Sequence, residues 1–117
     1  MTDPLTRLRE LCLALPEAAE RPNHDEPSWT VRTRTFAQFT EKFHDRPDLW
    51  CPAPPGAREA LLATDGERYF APRFGGDAWV GIRLDGEPDW EQIAEHVLDA
   101  YLLVAPRRLA DAVTPPG

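Results

Sequence analysis

At 117 residues, with 42% hydrophobic and 28% charged side chains, the chain has the size and composition of one globular domain. Thirteen basic against twenty acidic residues give a net charge of −7, which repels polyanions and anionic membrane surfaces on average. No apolar run approaches the roughly 20 residues of a membrane span and the start of the chain lacks a basic signal, so a cytoplasmic location with no membrane partner is expected.

In chain order, Leu5, Leu8, Leu11, Cys12 and Leu15 recur at helical spacing behind a capping Asp3 and Pro4, and Pro16 ends the pattern, which predicts a helix over 4–15. Residues 16–27 carry prolines 16, 22 and 27 among acidic side chains without any apolar period, and a surface loop is expected there. Residues 28–33 alternate Trp29 and Val31 with Thr30 and Arg32, and 35–43 are rich in strand formers, predicting a hairpin that turns near Thr33-Arg34. A short strand follows over 48–53, with Pro52 at a strand end or edge. Pro54-Pro55-Gly56 introduces a short helix over 57–64, closed by Asp65-Gly66. Residues 67–74 read as irregular or extended, Gly75-Gly76-Asp77 as a turn, and 79–84 as a strand with Val80, Ile82 and Leu84 inward. Asp89 caps the clearest helix, 90–104, with Gln92 placed for a capping box and Trp90, Ile93, Val97, Tyr101 and Val104 on its apolar stripe. Pro106 starts a last helix over 107–113, and 114–117 form a loose tail.

Clustered, hairpin-connected strands between helices exclude doubly wound and all-β plans. One α+β domain is expected, a two-layer sandwich of antiparallel sheet and helices with its core over about 4–113. Trp29, Val31, Val80, Ile82, Ile93, Val97 and Tyr101 are expected to share that core.

Chemistry-bearing residues are sparse. Cys12 and Cys51 sit at apolar positions without metal-site spacing and read as buried thiols. His24-Asp25-Glu26 would need a distant ligand such as His44 to hold a metal, so no metal and no cofactor are expected. His96 falls among Glu91, Glu95 and Asp99 and reads as part of a solvated helix face. No nucleophile elbow, phosphate loop or dinucleotide fingerprint is present, and no catalytic residue is assigned. Charge is lopsided: residues 28–46 carry Arg32, Arg34, Lys42 and Arg46 against two acids, net +2, whereas 77–99 carry seven acids against Arg83, net −6.

The chain resembles the MmcQ/YjbR group of small bacterial proteins. The likeness is carried by Leu15-Pro16-Glu17-Ala18, His24-x-x-Pro27-Ser28-Trp29, Thr35-Phe36-Ala37, Trp50-Cys51-x-Ala53-Pro54-Pro55-Gly56, Trp79-Val80-Gly81-Ile82-Arg83-Leu84, Asp89-Trp90 and Ala100-Tyr101-x-Leu103-Val104-Ala105-Pro106. It runs from about Leu5 to Leu109. It implies an α+β fold of the kind compared with the double-wing domain of a phage transcription factor, MotA, and the family carries a DNA-binding label by that analogy. Two family features differ here: the hairpin position that often reads Gly-Lys is Thr33-Arg34, and the lysine common before Ala-Pro-Pro-Gly is Pro52.

The resulting expectation is a noncatalytic DNA-binding domain that touches phosphate through a hairpin face bearing Arg32, Arg34 and Lys42, weakly and salt-dependently. The alternative is a protein or small-molecule binding module, with His24, Trp50, Pro55 and Gly56 edging a groove beside the 16–27 segment.

Overall fold

The computed structural model describes residues 3–42, 45–72 and 76–113. Along the chain run α1 (Pro4–Leu13), β1 (Ala18–Asn23), β2 (Glu26–Val31), β3 (Arg34–Thr40), β4 (Asp48–Pro52), α2 (Ala57–Thr64), β5 (Tyr69–Phe70), a single 3₁₀ turn (Gly76–Ala78), β6 (Trp79–Arg83), α3 (Trp90–Val104) and α4 (Arg107–Val113). The six strands form one antiparallel sheet in the order β1-β2-β3-β4-β6-β5. α3 lies on β3 and β4, while α1 lies on β1 and α3, so the expected α+β architecture is the one adopted. No helix among the described residues is long and apolar enough to cross a membrane. The tail after Val113, with Phe43, His44 and Gly75, lies outside the described residues.

The helices follow from their ends. Asp3 accepts from Thr6 N at 3.0 Å with Pro4 behind it in the first turn, and Asp89 accepts from the backbone N–H groups of Glu91 and Gln92. α1 stops two residues short of expectation, and Tyr101 Oη then donates to Pro16 O at 2.7 Å, tying the end of α3 to the link between α1 and β1. Gly56 enters α2 at φ +84°, a left-handed conformation that glycine adopts without a Cβ penalty.

Residues 16–27 are corrected from loop to sheet. β1 pairs residue for residue with β2 from Ala18↔Val31 to Asn23↔Glu26. Strand periodicity was absent from the sequence because β1 is an edge: Glu20 to Asn23 are exposed, and an edge tolerates Pro22. His24 and Asp25 close the hairpin with φ of +52° and +67°, the two positive values a type I′ turn requires. His and Asp enter that region more readily than most side chains, so the turn forms without glycine.

The second hairpin turns at Arg32-Thr33, one residue earlier than expected, between Val31 and Arg34. Arg32 takes φ +60° there, the first central position that a type II′ turn usually gives to glycine. A register shift opposite Trp29/Thr30 leaves Phe36 as the extra residue of β3, and its ring packs edge-on against Tyr101 with centroids 5.4 Å apart. Trp29, Val31, Val80, Ile82, Ile93, Val97 and Tyr101 do share one core, joined by Leu8, Phe39, Leu49 and Leu84. Burying each such large side chain contributes about 1.5–3 kcal/mol.

The sheet's alternate residues form a second, polar layer. Ser28 donates to Arg21 O at 2.8 Å and Thr40 to Glu26 at 2.6 Å. Gln38 donates to Phe39 O at 2.8 Å and accepts from Asn23 Nδ2 at 2.7 Å. These bonds satisfy buried polar groups on strands whose other side is hydrophobic.

Cys12 and Cys51 are buried thiols, as expected. Burial pushes Cys12 up and Cys51 up to about 12, which keeps both in the unreactive thiol form.

Candidate functional site

The strand directions divide the expected site residues between two ends of the sheet. The β2–β3 turn, bearing Arg32 and Arg34, lies at one end together with the α1–β1 link and Pro52, which leads to Pro55-Gly56. The β1–β2 turn with His24 lies at the other, beside Lys42, Asp48 and Arg83. The length of β3, seven residues, separates Arg34 from the Lys42 end by roughly 20 Å at about 3.3 Å per residue. Lys42 Nζ donates to His24 O, tying the end of β3 to the β1–β2 turn. Trp50 stands in mid-sheet between Gln38 and Gly81 and is only 5% exposed. Arg32 and Arg34 are therefore brought together, Lys42 is not, and His24, Trp50 and Pro55-Gly56 do not edge a common groove.

At the Arg32 end, Glu17 stands at the centre of the charges. Its carboxylate lies 3.1 Å from Arg32 Nε and 3.9 Å from Arg108 Nη2 on α4. Its backbone is held at φ +58° in the short link between α1 and β1. Tyr101 presses on the same link from the core side, and burial raises its phenol. Arg34 is exposed one residue past the turn. Nearby, Arg107 pairs only at long range with Asp111, 3.9 Å away, and is almost fully solvated.

The opposite end is acidic. After β6 the chain passes Asp85, Glu87 and Asp89 and enters α3, whose first turns expose Glu91 and Glu95. Between Asp85 and Asp99 there are six acids and no Lys or Arg. An open polar depression of about 210 Å³ lies here, lined by Asp65, Glu67, Arg68, Arg83, Asp85 and Gly86. Its cations are already engaged: Arg83 forks onto Asp85 at 3.1 and 3.0 Å, and Arg68 donates to the carbonyls of Arg83 and Asp85 at 2.9 and 2.7 Å. The Arg83 hydrogen bond holds the Asp85 carboxyl below its usual range. Arg46 is likewise committed, to the buried Asp48 at 3.0 Å and to the Phe70 ring.

His96 is a correction. It is half-buried rather than solvated, and Nε2 shares a hydrogen bond of 2.8 Å with Tyr69 Oη across edge-to-face rings. Pairing of Tyr69 with Ile82 brings β5 against the flank of α3, and position 96, one turn past Gln92, lies at the margin of the apolar stripe. Burial lowers the His96 pKa despite the opposing influence of Asp99 and Glu95. Among the described residues no three His, Cys, Asp or Glu side chains gather as a metal site; His44 lies outside them.

The family model YjbR matches residues 13–103, more than three-quarters of the chain and both hairpins. The chain belongs to the YjbR family. Within solved structures, this YjbR domain is similar to the Deinococcus radiodurans protein DR2400, described by a DUF419 domain, at a TM-score of 0.77 and 22% identity. That alignment covers 99% of this chain and 94% of the other, and at this identity it establishes the shared fold. No curated protein matches the chain. The YjbR segment stops at residue 103, before the arginines of α4. Arg107 and Arg108 were not singled out in the sequence, where they only open a short last helix; the nearness of Arg108 to Glu17 arises from the path of α3.

Proposed function

We propose that this YjbR domain is a noncatalytic DNA-binding domain that contacts backbone phosphates with the β2–β3 hairpin end of its sheet. The observation that carries the reading is charge separation along the sheet axis: exposed Arg32 and Arg34 stand at one end, and Asp85 to Glu95 at the other. A polyanion meeting the arginine end, where α3 finishes, stands about 20 Å from Glu91, about 13 Å from Glu95 and about 8 Å from Asp99 along that helix, at 1.5 Å per residue. Beyond a Debye length of about 8–10 Å the repulsion is largely screened, so the net charge of −7 does not decide the local encounter. Guanidinium groups at a hairpin tip suit phosphate oxygens through their planar fork of donors.

Two such contacts release counterions, and the slope of log affinity against log salt should then be about −1.8, from roughly −0.9 per contact. Fluorescence anisotropy of a labelled DNA duplex, titrated across about 50–200 mM salt, measures this slope. Arg34→Ala should flatten it by about 0.9. Absence of binding at the lowest salt overturns the reading and favours a protein or small-molecule binding module instead.

A further inference from the structure

We infer that Glu17 is an internal competitor for the anion-contacting arginines, and that Arg108 of α4 belongs to the same surface as Arg32 and Arg34. This inference rests on the DNA-binding reading and adds to it a further contact residue and a built-in restraint.

The argument starts from what Glu17 touches. Its two carboxylate oxygens approach cations from two elements far apart in sequence, with Arg32 Nε at 3.1 Å from Oε1, Arg32 Nη2 at 3.2 Å from Oε2, and Arg108 Nη2 at 3.9 Å from Oε2. A carboxylate between two guanidinium groups occupies the place a phosphate would take, since each offers a pair of oxygens that accepts from the planar guanidinium fork. The arrangement is open to exchange: the side chains of Glu17, Arg32 and Arg108 retain 47%, 46% and 78% of their exposure. Exposed pairs of this kind are held weakly, so an incoming phosphate can displace Glu17 without unfolding anything.

Position favours the same reading. Glu17 sits at φ +58°, where the chain turns from α1 into β1, and the Tyr101 hydrogen bond to Pro16 O fixes the residue before it. Its backbone is anchored while its carboxylate reaches the surface. Arg108 arrives because Pro106 redirects the chain after α3 and starts α4 beside the same link, with the Leu109 side chain buried. The β2–β3 turn and α4 are then two sides of one cationic surface with a single carboxylate between Arg32 and Arg108.

The test uses the full chain and a short fluorescent DNA duplex across about 50–200 mM salt. Glu17→Gln, isosteric and uncharged, should bind about fivefold more tightly at the lowest salt, on the order of the effect one unit charge exerts at about 4 Å in water. With Arg108 as a third contact the parent's slope becomes about −2.7 in place of about −1.8, and Arg108→Ala should weaken binding and flatten the slope by about 0.9. Glu91→Gln, which changes the net charge equally but at the acidic end, should bind as the parent does. Glu17→Gly suits the left-handed backbone and repeats the first measurement in a second variant, with thermal melts showing that each protein is folded. If the parent binds and Glu17→Gln gains no more than Glu91→Gln, the inference about Glu17 is overturned while the DNA-binding reading stands. An Arg108→Ala protein that binds with the parent's slope removes α4 from the surface. Failure of the parent to bind at the lowest salt overturns the DNA-binding reading itself, and the inference with it.

Discussion

Gly81 is the position where the sheet leaves no room for a side chain. A Cβ there would stand 2.3 Å from Cε2 and Cζ of Phe70 and 2.7 Å from Cδ2, because β5 pairs Phe70 with Gly81 and the ring folds across its neighbour. Carbon atoms prefer separations of about 3.5–4.0 Å, so the ring has to move by more than an ångström and disturb its contact with Arg46, now 5.4 Å from the centroid. Overpacking of this kind costs about 1–3 kcal/mol. In a domain of this size each kcal/mol lowers Tm by roughly 3–6 °C. The sign changes once the ring is gone. With Phe70→Ala already present, the three atoms nearest the new Cβ are gone, and Gly81→Ala gains the roughly 0.5–1 kcal/mol by which Ala is preferred over Gly within a strand. Urea unfolding of the parent, both single variants and the double variant measures the coupling, which should be at least about 1 kcal/mol. Equal destabilisation by Gly81→Ala in both backgrounds would refute the steric reasoning.

Two further outcomes concern the core and its margin. Ile82→Ala and Val97→Ala, fully or nearly fully buried in the one core, should each cost about 2–4 kcal/mol through lost transfer energy and a residual cavity, and unchanged denaturant midpoints would contradict this packing. His96 titrates lower in the folded chain than its usual 6.5, so the unfolded chain binds more protons just below that pH and stability falls as pH falls through this window. Stability followed from pH 7.5 to 5.5 should decline less in His96→Gln than in the parent, and identical profiles would remove His96 as a contributor.

Legibility in the sequence followed how much of each element's cause is local. α3 could be read to the residue because its cap, stripe and terminating proline all lie within the segment; α2 and α4 were bounded by their own Pro and Gly signals in the same way. β1 was hidden because an edge strand with four exposed positions needs no apolar alternation, and its turn uses His24-Asp25 in place of glycine. The Arg32-Thr33 turn was displaced by one residue for a related reason: a bulge at Phe36 shifts the register, and no local residue announces it. The candidate surface was legible in part. Arg32 and Arg34 followed from the hairpin, but Lys42 lies at the other end of β3, and the Glu17 to Arg32 and Arg108 contacts span 15 and 91 residues of sequence. His96 was misread because helical spacing alone places it near acids; only the return of β5 brings Tyr69 to it.

The central claim is that a polyanion meets this domain at the β2–β3 turn and α4, at the end of the sheet away from the acids. Nuclear magnetic resonance titration of the isotopically labelled chain with a short DNA duplex at low salt tests it most directly. The amide signals of residues 31–35 and 107–109, together with Glu17, should move in a saturable and salt-sensitive way, while those of 85–95 stay in place. Unmoved signals throughout, or shifts centred on residues 85–95, would contradict the account.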